Sequence, residues 1–490
     1  MSEATIPIQA AAPPRFSEDA VALGLGLGVF ALALLSLLGA DALGWLVKTS
    51  VWADPSAALA PAAKTYASLG GLGSLIVTYI ILTAVLSGAA YLLGDDAGRF
   101  ALAFTAVFAL AYASWFVGSW AYLAAVTPAE QAKFGVSWSL KLTGEGGFIV
   151  ALLAGLVIAN VFPGFAERLR SAIRPELYIK IAIVILGASI AVTVASKLTL
   201  ASSLMLRGLA AIVEAYLIYW PIVYLIARKG FGFSREWAAP LASGVSICGV
   251  SAAIATGGAI RARPQIPVLV SSLVVVFAVI EVLILPLIAQ AFMAHEPLVA
   301  AAWMGLAVKS DGAALAAGGV TQSLITAKAA AEGVAWQPGW MLAVTATVKV
   351  FIDIFIGVWA FILAYIWTHH INPRAGAPKA RLIEIWERFP KFILGFVVTF
   401  LVALALALGT AEGSSGKLAA AVGEANLLRV IFFVLTFFSI GGMSNFRQLR
   451  QEGFGKLAAV YIVSLFGFVV WVGFFISWLF FAGVKPPLAS

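Results

Sequence analysis

Six ionisable residues interrupt long apolar stretches of the chain: Glu214, Glu281, Lys309, Asp311, Lys349 and Asp353. A charge at lipid depth is costly, and it usually serves as an ion or proton carrier, a substrate counter-charge or half of a buried pair. Lys349 and Asp353 stand four apart on one helix face and can pair directly, either as a structural salt bridge or as part of a coupling centre. Lys309 and Asp311 are two apart and cannot face the same way on a regular helix. Followed by Gly312, they read as an irregular stretch lining a cavity, with Lys309 as an anion or proton group and Asp311 as a carboxylate for a coupling ion. Glu214 and Glu281 precede Pro221 and Pro286 on apolar segments, and each either carries a proton or has a partner in the bundle. Glu145, between Gly144 and Gly146, reads as interfacial.

Two Gly/Ser clusters break the apolar pattern in the same way. Ser246-Ile247-Cys248-Gly249-Val250-Ser251 and Ser439-Ile440-Gly441-Gly442-Met443-Ser444 share the form Ser-Ile-x-Gly-x-Ser. Glycine tolerates a helix break, and serine hydroxyls can satisfy the backbone groups the break frees. A broken helix presents amide N–H groups and the positive end of its dipole, which favours an anion, while carbonyls at the opposing half-helix end suit a cation. Ser246, Gly249, Ser251, Ser439, Gly442 and Ser444 are therefore the candidate substrate-binding residues. The alternative is small-residue packing between helices, which we accept for Gly24, Gly26 and Gly28.

The elements that must position these residues are transmembrane helices. Of 490 residues, 62% are hydrophobic and 11% charged, against about 45–50% and about 25% in a soluble domain. That excludes a cytosolic enzyme, a nucleic-acid binder and a disordered chain. Apolar stretches long enough to cross a bilayer lie near 20–47, 68–93, 100–126, 144–163, 177–197, 203–227, 236–260, 266–293, 297–320, 339–368, 389–411, 424–446 and 457–482. We expect an all-α polytopic membrane protein of about thirteen spans. Residues 1–143 form an N-terminal extension of about three helices, 144–293 a first five-helix repeat and 297–483 a second. Five is odd, so the second repeat is inverted, and the two Ser-Ile-x-Gly-x-Ser segments become crossing discontinuous helices.

The net charge of +8 is assigned to the positive-inside rule rather than to nucleic acid. Alternate loops carry 16 cations on the side of the N-terminus and 11 on the other. This places the N-terminus in the cytoplasm of a bacterial cytoplasmic (inner) membrane protein. The single Cys248 excludes an internal disulfide and a cysteine-based zinc site. His295, His369 and His370 read as solvated loop residues, and Arg429 as a snorkelling one. There is no nucleophile elbow, Walker-type phosphate loop or His-x-x-x-His pair. No catalytic residue, metal ligand or organic cofactor is assigned, and neither an enzyme nor an ATP-driven pump is expected.

From about residue 147 onward the chain resembles the YeiH-like, or UPF0324, membrane proteins, a family labelled as sulfate exporters. The matching stretches are Gly155 to Asn160, Arg174-Pro175 leading to Leu186-Gly187, Ser246 to Ala252 followed by Ile260-Arg261-Ala262, and Phe389-Pro390 with Leu394-Gly395-Phe396. The family is similar to cation/proton antiporters and bile-acid symporters. That similarity implies a core domain with two crossing broken helices, moving elevator-fashion beside a panel. The chain departs from the family pattern where Lys309-Ser310 replaces a His-Glu pair, where Ile352 replaces an arginine, and where Glu281 replaces a small residue. Residues 1–143 lie outside the resemblance.

The expected function is secondary active transport of a small anion, sulfate-like or organic, by alternating access with H⁺ or Na⁺ coupling. Lys309 would compensate the substrate's charge, and Asp311 or Asp353 would bind the coupling ion, with Lys349, Glu281 and Glu214 beside them. The same architecture fits a cation/proton antiporter. A membrane-embedded sensor or scaffold without transport is the reading from another class. The expected partners are the bilayer, the anion and a second copy of the chain in a homodimer.

Overall fold

The computed structural model describes residues 16–125, 128–140, 142, 146–263, 265–371, 381–409, 412–445 and 455–489. Glu145, Arg15, Lys141, Arg374, Lys379, Arg447 and Arg450 lie outside them. The longer helices are α1 (Glu18–Leu38), α2 (Lys64–Leu92), α3 (Ala97–Gly118), α4 (Gly146–Val161), α5 (Pro175–Ala195) and α6 (Leu198–Gly230). They continue with α7 (Arg235–Ser246), α8 (Gly249–Ala259), α9 (Gln265–Met293), α10 (Pro297–Ala307) and α11 (Asp311–Ala331). The last four are α12 (Trp340–Ile371), α13 (Lys391–Gly409), α14 (Glu412–Met443) and α15 (Gly455–Phe481). A small antiparallel ribbon pairs 47–49 with 59–61 and is tied to α2, the Val47 N–H donating to Thr78 Oγ1 at 3.1 Å. Among the described residues ten helices are long and apolar enough to cross a membrane, and α4 with the sharply bent helix after it makes an eleventh.

The protein is thus all-α and polytopic, but two of the thirteen apolar segments do not cross. The segment read at 236–260 is a helical hairpin, α7 down and α8 back. Thr256 Oγ1 donates to Ser243 Oγ at 2.7 Å, and the Arg263 N–H donates to Glu236 Oε1 at 2.8 Å. Thirteen residues of straight helix would hold Ser243 and Thr256 about 20 Å apart. The segment read at 297–320 is likewise a hairpin, α10 and α11. On α12, Thr345 donates to Ala301 O at 2.8 Å, and its Oγ1 would lie 2.6 Å from a methyl added at Gly318. The start of α10 and the end of α11 come together, His295 Nδ1 lying 3.7 Å from Glu332. Because α9 spans the bundle between the hairpins, they enter from opposite sides.

The second Ser-Ile-x-Gly-x-Ser segment corrects the expectation of two crossing broken helices. Ser439 to Met443 belong to the continuous helix α14, with Ser444 just past its end. The glycines serve close packing instead. A methyl on Gly441 would stand 2.1 Å from Leu152 O, and one on Gly155 2.1 Å from Phe438 O, so α4 and α14 cross backbone to backbone. Asn160 Nδ2 locks the crossing by donating to Ser444 O at 2.8 Å. This accounts for Gly155 to Asn160, one of the stretches that carried the family resemblance. A shared spelling therefore covers two different structures, because glycine serves both a chain reversal and a tight helix crossing.

The N-terminal helices are joined to the rest rather than set apart. Lys180 on α5 pairs with Asp19 at 2.8 Å and Glu18 at 3.1 Å, both in the first turn of α1. Asp19 also accepts the Lys391 N–H of α13 at 3.1 Å. Of the three small-residue positions Gly24, Gly26 and Gly28, Gly26 alone meets a neighbour, Val184 of α5.

Candidate functional site

The hairpin tips meet inside the bundle. The Gly249 N–H, first in α8, donates to Lys309 O at 2.8 Å and joins tip 1 (Ile247-Cys248) to tip 2 (Val308-Lys309-Ser310). Glu281, near the middle of α9, fixes the depth: its Oε2 accepts the Lys309 N–H at 3.2 Å. Small residues make the approach possible. A methyl on Gly249 would stand 2.2 Å from Val274 Cγ1, and one on Gly244 2.8 Å from Val270 Cγ1, so hairpin 1 lies directly on α9.

Four helix ends converge there. Neither α8 nor α11 has a side-chain N-cap, so their first-turn amides bring the positive ends of two dipoles to the junction. The C-terminal ends of α7 and α10 bring the opposite sign. Into this field α12 projects Lys349, whose Nζ lies 3.2 Å from Asp311 Oδ1 and donates to Ile247 O at 3.3 Å and Lys309 O at 3.4 Å. The Lys349–Asp353 pairing that helical spacing allows is replaced by this tertiary one. The partner of Lys349 is Asp311 on hairpin 2, and Asp353 Oδ1 is left without a hydrogen-bond partner. Ligating atoms of Cys248, Asp311 and Asp353 lie within 4.8 Å of one another.

A second group lies beside the junction. Lys309 turns away from it, donating to Leu306 O and laying its ammonium over the Tyr219 ring at 4.5 Å. Tyr219 gives its hydroxyl proton to Val469 O at 2.8 Å, and both carboxyl oxygens of the fully buried Glu214 are without a hydrogen-bond partner. Glu214 opens a π-helical turn, Glu214–Tyr219, a distortion common at functional sites. Glu281 Oε1 accepts from Tyr461 of α15 at 3.0 Å. Lys309, Asp311, Lys349 and Asp353 are all 5% exposed or less, so the junction is sealed from both faces.

Of the residues chosen from sequence, Ser246, Gly249, Lys309, Asp311, Lys349, Asp353 and Glu281 are brought to the junction, and Glu214 beside it. Ser246 Oγ is buried and unpartnered at the end of α7, and Ser251 lies in the first turn of α8. The three α14 residues are not part of it. Ser439 is a turn beyond Thr436, which meets the start of α11 at Gly312; Gly442 faces Ile173; Ser444 bonds back to Ile440 O at 2.8 Å. Sequence reasoning missed the carbonyls of Ile247 and Lys309, the tyrosines 219 and 461, and the Trp220–Ser243–Thr256 chain of hydrogen bonds (2.9 and 2.7 Å) that clamps hairpin 1. The available signal was the spacing of Ser243 and Thr256 about the Ile247-Cys248 break, together with the many Ala and Gly residues on both arms.

The tip contact makes a prediction. Gly249→Ala forces tip 1 off Val274, an overpacking cost of about 1–3 kcal/mol, and Val274→Ala in the same chain restores the wild-type unfolding midpoint. Thermal unfolding of the three variants checks this; equal midpoints for Gly249→Ala and wild type would show the tip is not held there.

Comparison with known proteins agrees with the helical membrane architecture. The family described as "Conserved hypothetical protein 698" matches residues 132–460. A UPF0324 membrane protein of Nitrosomonas europaea is 40% identical over 479 residues, 96% of this chain and 97% of that one. The chain belongs to the UPF0324 membrane protein family. A UPF0324 protein of Rhodopirellula baltica is 33% identical over 396 residues, 79% of this chain and 64% of its own length. An uncharacterized protein of Archaeoglobus fulgidus is 47% identical over 174 residues, 30% of this chain and 92% of its own. No solved structure matches. The family model begins at residue 132, so nearly all of the N-terminal extension lies outside it, while the likeness to the Nitrosomonas protein runs over nearly the whole chain.

Proposed function

We propose that the protein is a secondary active transporter that moves a small anion, sulfate-like or organic, by alternating access coupled to H⁺ or Na⁺. One observation carries this reading: two hairpins from opposite sides of the bundle meet tip to tip among buried lysines and carboxylates. Discontinuous helices meeting at the midplane are the usual site of secondary transporters, with helix N-termini turned to the anion and carbonyls to the cation. The hairpins also supply a means of alternating access, since each tip closes the junction toward one side. Lys309, whose ammonium lies beside the junction over the Tyr219 ring and must turn back toward it, is the counter-charge for the anion, and Asp311 and Asp353 are the coupling carboxylates. Those same carboxylates favour, as a second reading, a cation/proton antiporter.

The hairpins also bear on orientation. Arg261 and Arg263 follow hairpin 1 back to the side of Arg228, Lys229 and Arg235. Moving these two turns the 16-to-11 bias of loop cations into 18 to 9, which supports a cytoplasmic N-terminus in the bacterial cytoplasmic membrane.

Flux into proteoliposomes tests the reading. Labelled sulfate and a set of small organic anions are offered under imposed pH or sodium gradients. At least one anion is expected to enter faster than into protein-free vesicles, driven by a gradient. If no anion moves while a sodium or potassium gradient drives protons, the antiporter reading replaces this one.

A further inference from the structure

The ammonium of Lys349 stands where a small cation would be bound. Its three nearest oxygens are Asp311 Oδ1 at 3.2 Å and the carbonyls of Ile247 and Lys309 at 3.3 and 3.4 Å. Both carbonyls belong to hairpin tips, one from each side. Asp353 adds a carboxylate that is 3% exposed and whose Oδ1 has no partner, within 4.8 Å of the ligating atoms of Asp311 and Cys248. Two carbonyls and the Asp311 carboxylate form an all-oxygen donor set of the kind a hard cation takes; Asp353, beyond ion-pair distance of the ammonium, and the thiol of Cys248, which suits soft metals, are neighbours rather than ligands.

We infer that the hairpin junction is a built-in monovalent-cation site whose resident occupant is the tethered ammonium of Lys349. Acidic side chains alone would not carry this. The two tip carbonyls that accept from the ammonium, one from each hairpin, are observations independent of the carboxylates and point to a positive charge at that position. Lys349 then does what a bound sodium ion would do: it neutralises Asp311 and ties both tips together. Its covalent tether keeps the position filled whatever the ion concentration. The consequence for coupling rests on the transport reading: sodium has no vacancy to fill at this site, so any sodium coupling would need a site other than this one. The binding claim itself does not need transport.

The test reads stability, so its failure and the failure of the transport reading are separable. Thermal unfolding of the purified full chain is followed in sodium, lithium, potassium and choline chloride at matched ionic strength. Wild type is expected to unfold at the same temperature in all four. Lys349→Ala, which leaves the space and removes the charge, is expected to unfold lower in choline and to recover several degrees, saturably, in at least one alkali salt. A saturable alkali-ion response in wild type overturns the inference, as does a monodisperse Lys349→Ala protein that is indifferent to the salt. Should Lys349→Ala not be recovered folded in any salt, Lys349→Ala/Asp353→Asn, which lowers the stranded negative charge but keeps Asp311 and both tip carbonyls, decides. An alkali-ion response there upholds the site, and indifference overturns it.

Discussion

Lys349→Met, measured in sodium-free buffer, is expected to lower stability by about 3–5 kcal/mol, the usual cost of stranding one charge of a buried pair. Asp311 is 5% exposed and, among the described residues, keeps no other cation within ion-pair distance, and the carbonyls of Ile247 and Lys309 lose a donor. Asp311→Asn is expected to cost a similar amount from the other side, although Asp353 stays close enough to Lys349 to soften it. The double variant removes both charges and should recover a large part of the loss. A double-mutant cycle on unfolding midpoints therefore returns a strong coupling between positions 349 and 311 and a weaker one between 349 and 353. Lys349→Arg is not a rescue, since a planar guanidinium is bulkier and its fork geometry does not fit oxygens gathered round a point charge. Single variants within about 0.5 kcal/mol of wild type, the range of neutral surface changes, would show that the pair is not what holds the tips.

Glu281→Leu is the second large effect. Its carboxylate accepts the Lys309 N–H of tip 2 and the Tyr461 hydroxyl of α15, so one side chain ties hairpin 2 to two spans. Leucine of similar bulk strands both donors, at about 1–3 kcal/mol for each. Tyr461 is fully buried, so bulk solvent cannot take the place of the lost acceptor. Glu281→Gln retains an oxygen for one donor, and its amide can donate to the tyrosine oxygen, so it should lose much less stability. Displacing tip 2 by about an ångström is also expected to depress flux by about 10²-fold, the usual penalty for misplacing a positioned group. Unfolding midpoints and proteoliposome flux for the two variants check the pair of claims. Equal losses for leucine and glutamine would mean that the charge, and not the hydrogen-bond geometry, is what tip 2 requires.

These two residues also show how legibility divided. Both were recognisable from sequence as functional candidates, because a charge inside a long apolar run is a local fact needing no partner to be noticed. The membrane class, the helical architecture and the break at Ser246–Ser251 were legible for the same reason. The partners were not. Helical spacing offered Asp353 to Lys349, but the nearer carboxylate comes from Asp311, which is close only because hairpin 2 folds back against α12. The α14 segment was misread because a local spelling was asked to report a tertiary role.

The reversal of the hairpins was the hardest to see. A stretch of apolar residues with a glycine break looks the same whether the chain continues across the membrane or turns back halfway. The length that betrays the reversal appears only in the folded chain: α10 has 11 residues, about 17 Å at 1.5 Å per residue, roughly half of a bilayer core about 30 Å thick. What the sequence determined by itself was therefore the solvent and the list of costly residues, since hydropathy and charge are properties of each side chain alone. The direction of the chain after Ile247 and after Val308, and hence which oxygens surround Lys349, was decided only in the tertiary structure. Those depend on which helices pack against the small-residue faces of the hairpins, and packing is a property of pairs of surfaces far apart in the chain.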